Sequence, residues 1–262
     1  MKTIKIYQVD AFTSQLFGGN PAAVCLLDQW LEDALMQLIA AENNLAETAF
    51  VVRTGDQFEI RWFTPTLEVD LCGHATLASA YVIFHQTGFD GEEIILQSPR
   101  SGELKVSREG KKLFLNFPAD VIVKCENLPE ITQGIGLNPL EVFRGKTDYM
   151  AVLASEEDVH NIRPDFVAIE KMDARGLIVT APGNHVDFVS RFFGPQSGVN
   201  EDPVTGSAHT TLTPYWSEKL GKSILTARQI SKRGGSLDCR NAGPRVFIGG
   251  EAQLYLVGEI LI

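Results

Sequence analysis

Residues 58–65 read FEIRWFTP and residues 188–195 read FVSRFFGP. The two octapeptides share Phe58/Phe188, Arg61/Arg191, Phe63/Phe193 and Pro65/Pro195 at a constant offset of 130. Each leads through a loop into a run of small residues, CGHATL from Cys72 and TGSAHTTL from Thr205, where the offset becomes 133. A strand, a loop and a helix start recurring in the same order mark a duplicated unit, with three residues inserted in the second loop. The boundary between the copies is expected within FPADVIVKCENLPE, giving halves at 1–118 and 130–262; the last strand, LYLVGEILI, can return to the first half.

The local patterns on either side agree with this organisation. KIYQVDAF, TAFVVRT, QFEIRWF, EIILQS, GELKVSR and KLFLNFP alternate apolar and polar residues as strands do, and RGLIVTAP, HVDFVSRFF, SILTARQISKRG and AQLYLVGEILI do the same further on. LEDALMQLIAAENN is helical by spacing, with acidic residues early, where they suit the helix dipole. GHATLASAYVIFHQTG is apolar nearly all round, the pattern of a helix enclosed by sheet, and TGSAHTTLTPYWSEKLG is its counterpart in the second copy.

Composition bounds the function. At 262 residues, 44% hydrophobic and 21% charged, the chain is globular and long enough for two domains. A formal net charge of −10 repels phosphate backbones and argues against nucleic acid as a partner. No apolar run approaches the ~18 residues of a membrane span, and MKTIKIYQVDAF lacks a signal-peptide core, so a cytoplasmic protein without a membrane partner is expected. Cys25, Cys72, Cys125 and Cys239 form no C-x-x-C pair, which supports neither a zinc ribbon nor a thioredoxin-type site and leaves them as thiols.

Three places carry more chemistry than packing needs. Gly73 and Gly206 lead helix starts whose first amides have no internal partner, so each start can hold an anion; the plainer reading is close packing of a buried helix. NEDPVTGSAH gathers Glu201, Asp202, Thr205 and Ser207 around a proline, more acid and hydroxyl than one N-cap uses, without the lysine of a phosphate-binding loop. In AAENNLAETAFVV, Glu42 falls on the helix facing water, while Glu47 begins an apolar strand, where partial desolvation suits a carboxylate to proton transfer. The 130 offset sets Leu177 opposite Glu47, so the copies differ chemically there. His74 reads either as a structural hydrogen-bonder or as an acid made so by neighbouring carboxylates.

VDAFTSQLFGGNPAAV, NNLAETAFV, RWFTPTLEVDLCGHATLASA and NEDPVTGSAH together resemble the phenazine biosynthesis PhzF-like family, over nearly the whole chain. The resemblance implies an α+β, diaminopimelate epimerase-like fold: two pseudo-symmetric domains, each a mixed sheet or barrel wrapped round a central helix, with the active site in the cleft between them. It further implies a homodimer, no cofactor and no metal. Carried over by motif, the catalytic residues are Glu47, His74 and Asp202, and the substrate-binding residues are Gly73, Gly206 and Ser207.

The function so implied is an isomerase that shifts a proton on a small anionic carboxylate substrate. In epimerases of this fold a cysteine precedes the glycine in both halves; here Cys72 is matched by Thr205, whose hydroxyl is too weak an acid and base to complete a thiol pair. A two-base amino-acid epimerase is therefore the nearest rival. A non-catalytic binder of small carboxylates is the rival from another class, and metal hydrolysis using Cys72, His74 and Cys239 matches no zinc spacing.

Overall fold

The computed structural model describes residues 3–55 and 57–262; Met1 and Lys2, at the head of the alternating N-terminal run, lie outside the described residues. The chain forms two compact units, one of residues 1–116 with 249–262 and the other of residues 117–248.

The first unit contains β1 (Thr3–Ala11), β2 (Asn20–Leu27), α1 (Asp33–Asn43), β3 (Glu47–Thr54), β4 (Gln57–Phe63), β5 (Glu68–Val69), α2 (Gly73–Gln86), β6 (Glu93–Ser98), β7 (Gly102–Glu109) and most of β8 (Lys112–Pro118). The second contains β9 (Val123–Cys125), α3 (Pro129–Ile135), β10 (Glu141–Arg144), β11 (Asp148–Val152), α4 (Glu156–Asn161), α5 (Phe166–Glu170), β12 (Gly176–Pro182), β13 (Phe188–Gly194), β14 (Val199–Asp202), α6 (Ala208–Leu220), β15 (Ile224–Gln229), β16 (Gly235–Ala242) and most of β17 (Arg245–Gly250). The final strand, β18 (Ala252–Leu261), pairs antiparallel with β1 in the first unit.

Strand pairing makes the repeat explicit. In the first unit β1/β2 are antiparallel, β2/β3 parallel, β3/β4 antiparallel, β4/β6 parallel and β6/β7 antiparallel. In the second, β10/β11, β11/β12, β12/β13, β13/β15 and β15/β16 follow the same alternation. Each parallel pair needs a crossover, which α1 and α2 supply in one unit and α4–α5 and α6 in the other. The 121–174 stretch holds three short helices and three short strands for which the sequence carried no clear period; sequence reasoning missed these, together with β2 and the short strands β5 and β14, which it read as loop.

Both faces of the central strands are covered, which is why Thr48–Val52 is buried without alternation, whereas β6 and β15 alternate and keep one face open. One face packs on the central helix: 11 of the 14 residues of α2 are buried, and it lies against β1, β2 and β3. Its buried hydroxyls bond back to the helix, Thr76 to the Cys72 carbonyl and Ser79 to that of Ala75, so the apolar environment leaves neither unsatisfied. The outer face is covered by α1 over Ile4, Phe50 and Phe63 in one unit, and by α3–α5 over Leu177, Val179 and Phe193 in the other. Helix α6 tolerates Pro214 because the Thr210 carbonyl, which a helical amide at 214 would have bonded, accepts from the Asp120 amide instead.

The shared arginines explain the repeat's loops. Arg61 clamps Glu68 on β5 through two bonds of 2.7 and 2.9 Å. Arg191 clamps Glu201 on β14 likewise, at 2.7 and 2.9 Å. Glu68 and Glu201 are themselves 133 apart, so the three extra residues lie between the end of β13 and β14, where a 3-10 turn at Pro195–Ser197 absorbs them. Each ion pair holds the short strand that feeds the following helix.

Candidate active site

In the first unit three elements converge on the start of α2. A turn at Gly19, with φ of +63° and no room for a Cβ against the Ala11 carbonyl, delivers Asn20 to the head of β2. Asn44, left-handed at φ 49°, ends α1, and Asn43 reaches forward to Thr48 at 3.1 Å, which sets Glu47 as the first residue of β3. Cys72 is extended and offers no side-chain cap, so Gly73 opens the helix with His74 in its first turn.

The result is a buried contact. His74 Nε2 lies 3.2 Å from Glu47 Oε2, with side-chain exposures of 6% and 17%. Its Nδ1 faces Asn20 Nδ2 at 3.1 Å and Cys72 Sγ at 3.5 Å. Burial pushes His74 down to about 3, outweighing the nearby carboxylate, which alone would raise it. The imidazolium expected from acidic neighbours therefore does not form at neutral pH. Glu47, Cys72 and His74 offer ligand atoms within 4.8 Å of one another, but Glu47 and Cys72 face different ring nitrogens, and one ion takes only one of them.

The register corrects the counterpart of Glu47. Phe50 pairs with Arg61 and Val179 with Arg191, so Glu47 matches Gly176 and not Leu177; the extrapolated offset was one residue too long because β12 begins one position earlier relative to its hairpin partner. The residue before Gly176 is Arg175, which sequence reasoning passed over. Its guanidinium grips Asp148, 3% exposed, through Nε at 2.9 Å and Nη2 at 2.5 Å, and donates from Nη1 to Ser207 Oγ at 2.9 Å.

Ser207, the positional match of His74, is the residue before α6 and is itself in helical conformation, so its side chain caps nothing. The helix begins three residues later than the TGS motif placed it. Asp202 accepts from Thr205 Oγ1 at 2.5 Å. Buried Gln229 closes this loop, donating to the Asp202 carbonyl at 2.7 Å and accepting from the Thr205 amide at 2.8 Å. Thr205 thus orients a carboxylate where a two-thiol enzyme would place its second cysteine. Glu201, unexplained by sequence, is the partner of Arg191.

A buried helix enclosed by sheet, built twice with the same alternation and with unlike chemistry at the two helix starts, is the diaminopimelate epimerase-like architecture. A probable proline racemase from Agrobacterium radiobacter shares the fold at a TM-score of 0.63 and 10% identity, over 99% of this chain and 93% of that one. The chain belongs to the phenazine biosynthesis-like (PhzF) family, whose model, "Phenazine biosynthesis-like protein", matches residues 9–258. A PhzF-family phenazine biosynthesis protein from Enterococcus faecalis superposes with a TM-score of 0.97 at 46% identity, covering all of both chains. An uncharacterized isomerase of Pseudomonas aeruginosa is 52% identical over 98% of each chain, and these names support an isomerase-type function. Among the described residues no helix is long and apolar enough to cross a membrane.

The buried histidines set an acid limit on stability. His74 is lowered to about 3 and His209, whose Nδ1 meets the Thr205 carbonyl at 2.9 Å, to about 4. Unfolded, both would titrate near ~6.5, so below that pH the unfolded chain binds protons that the folded chain refuses. Stability is expected to fall as pH drops from ~6.5 towards 4, by up to ~1.4 kcal/mol per pH unit for each histidine. Urea unfolding at pH 7 and pH 5 measures this, and a His209→Gln variant should show a shallower loss; equal stability at the two pH values would contradict it.

Proposed function

We propose that the protein is a cofactor-independent isomerase that moves a proton on a small, unsaturated carboxylate. The observation that carries this reading is the buried Glu47–His74 contact, set against Thr205 in place of a second thiol: one acid/base centre, not two. Glu47 takes a proton from a carbon made acidic by the substrate's carboxyl group, and the electron pair delocalises as an enolate. The protonated Glu47 side chain then returns the proton to the distal carbon as the double bond moves, which restores Glu47 as a carboxylate. Neutral His74 packs its Nε2 edge 3.2 Å from Glu47 and biases the carboxylate electrostatically. The amide of Gly73 in the first turn of α2 and that of Gly206, two residues ahead of α6, stabilise developing negative charge, and Asp202 and Ser207 hold the substrate's polar groups. The working form in this reading is a homodimer.

The test is proton exchange in D₂O on a panel of small alicyclic and aromatic carboxylates, with cyclohex-2-enecarboxylate and its 1-ene isomer as the simplest pair. Deuterium should enter at C3 of the 1-ene product and at C1 of the 2-ene isomer, the two ends of the three-carbon allylic unit. Deuterium at the α-carbon of amino acids with racemisation would support a two-base epimerase instead, and binding without any exchange would support a carboxylate binder.

A guanidinium donating into Ser207 Oγ leaves the hydroxyl proton turned outwards as a donor. Arg175→Met is therefore expected to raise KM for the carboxylate about tenfold, on the order of one charged hydrogen bond, with kcat nearly unchanged. Arg175→Lys keeps the charge opposite Asp148 and should recover folding more than KM. Steady-state kinetics on the three proteins checks this; an unchanged KM in Arg175→Met would remove Ser207 from the binding site.

A further inference from the structure

We infer that Asn20 is a positioning residue: its buried amide donates to His74 Nδ1 and so confines the ring's single proton to Nε2, the nitrogen beside Glu47. The inference deepens the proposed reaction and rests on Glu47 being its base.

A neutral imidazole has one N–H and one lone pair, on opposite nitrogens. An ionised carboxylate repels a lone pair, so Glu47 Oε2 at 3.2 Å from Nε2 favours the proton on that nitrogen, although the ring N–H is not aligned on the oxygen as a hydrogen bond. Nδ1 then presents its lone pair and needs a donor. The Asn20 side chain, 0% exposed and 3.1 Å away, supplies it through its NH₂ group. This orientation follows from the ring's chemistry and not from telling amide nitrogen from oxygen. The other group near Nδ1 is Cys72 Sγ at 3.5 Å, a weak donor.

The consequence is control over the base. With the proton on Nε2, the ring turns the positive end of its N–H towards the Glu47 carboxylate, which favours the charged form. With the proton on Nδ1, two lone pairs would face each other across 3.2 Å, and Glu47 would either turn away or capture a proton and cease to be a base. Gly19, whose turn brings Asn20 to its place, joins the same device from the backbone side.

The experiment is ¹⁵N-detected imidazole NMR on the full chain without substrate, read beside D₂O exchange. Wild type should show a single His74 tautomer between pH 6 and 8, protonated at Nε2 and bare at Nδ1. Asn20→Asp replaces the donor by an acceptor, so Nδ1 should become protonated and exchange should fall at least ~10²-fold, the lower end for disabling an acid/base group. Asn20→Ala should give a tautomer mixture, and Cys72→Ala should keep the wild-type spectrum. A wild-type ring protonated at Nδ1, or an Nδ1 still bare in Asn20→Asp, overturns the inference, and a tautomer that is lost in Cys72→Ala assigns the role to the thiol. A tautomer that behaves as expected while Glu47→Gln keeps full exchange would sink the proposed base and leave the role of Asn20 in holding the ring intact.

Discussion

Glu47→Gln is expected to cut proton transfer at least ~10²-fold while leaving the fold and carboxylate affinity close to wild type. The substitution keeps shape and removes only basicity. A glutamine carbonyl oxygen has the same size as the carboxylate oxygen it replaces, so the 3.2 Å packing against His74 Nε2 can be kept without the charge. A His74 ring that carries its single proton on Nε2, the nitrogen beside residue 47, has no lone pair there to take over as base. Cys72 lies on the other side of the ring, its sulfur 3.5 Å from Nδ1 and away from the Nε2 edge that meets residue 47. Deuterium incorporation into the carboxylate panel, followed by mass spectrometry, gives the rate directly. Thermal shift with the same carboxylates separates binding from turnover. Full exchange in Glu47→Gln would end the one-base mechanism, and loss of binding together with rate would point to a structural role for the pair.

How much of this was visible beforehand depended on whether a feature was local. The duplicated strand-loop-helix unit could be read because Phe, Arg, Phe and Pro recur at fixed spacing, and the pairing alternation around β2–β7 and β11–β16 is the same feature seen in backbone bonds. Glu47 and His74 were legible as odd residues at element boundaries, but their contact joins β3 to α2 across 27 positions, and no spacing rule encodes that. Asn20 sits inside a motif dominated by glycines and a proline, where its amide is indistinguishable from a turn residue. Arg175 was hidden for another reason. A one-residue error in register assigned the match of Glu47 to an apolar strand position, and only the β12/β13 pairing shows that an arginine precedes the true counterpart. The 121–174 segment failed because its helices run only 5 to 7 residues, too short for a 3.6-residue period to show.

The second large effect is expected from Glu201→Ala, a residue that touches no reacting atom. Arg191 has 9% of its side chain exposed, and Glu201 is its carboxylate partner at 2.7 Å. Two backbone carbonyls, Ile162 at 3.0 Å and Val159 at 3.2 Å, satisfy another nitrogen of the guanidinium but neutralise none of its charge. Removing one member of a buried pair leaves the other charged and desolvated, which costs about 3–5 kcal/mol. For a unit of this size the melting temperature should fall by roughly 10 °C or more. The equivalent change at Glu68 should cost less, because Arg61 keeps Asp33 at 2.8 Å as a second carboxylate. An Arg191→Met change on top of Glu201→Ala should restore much of the loss, since an apolar replacement of a buried pair is often neutral. Denaturant unfolding of the two single variants and the double variant completes the cycle and gives the coupling energy. The same substitution should also slow catalysis at temperatures where the protein stays folded, because Asp202 follows Glu201 directly and shares the short strand that the ion pair anchors. A loss below about 1 kcal/mol, typical of an exposed pair, would mean that the repeated arginines are surface ornaments of the duplication and that Gln229 and Thr205 alone hold Asp202 in place.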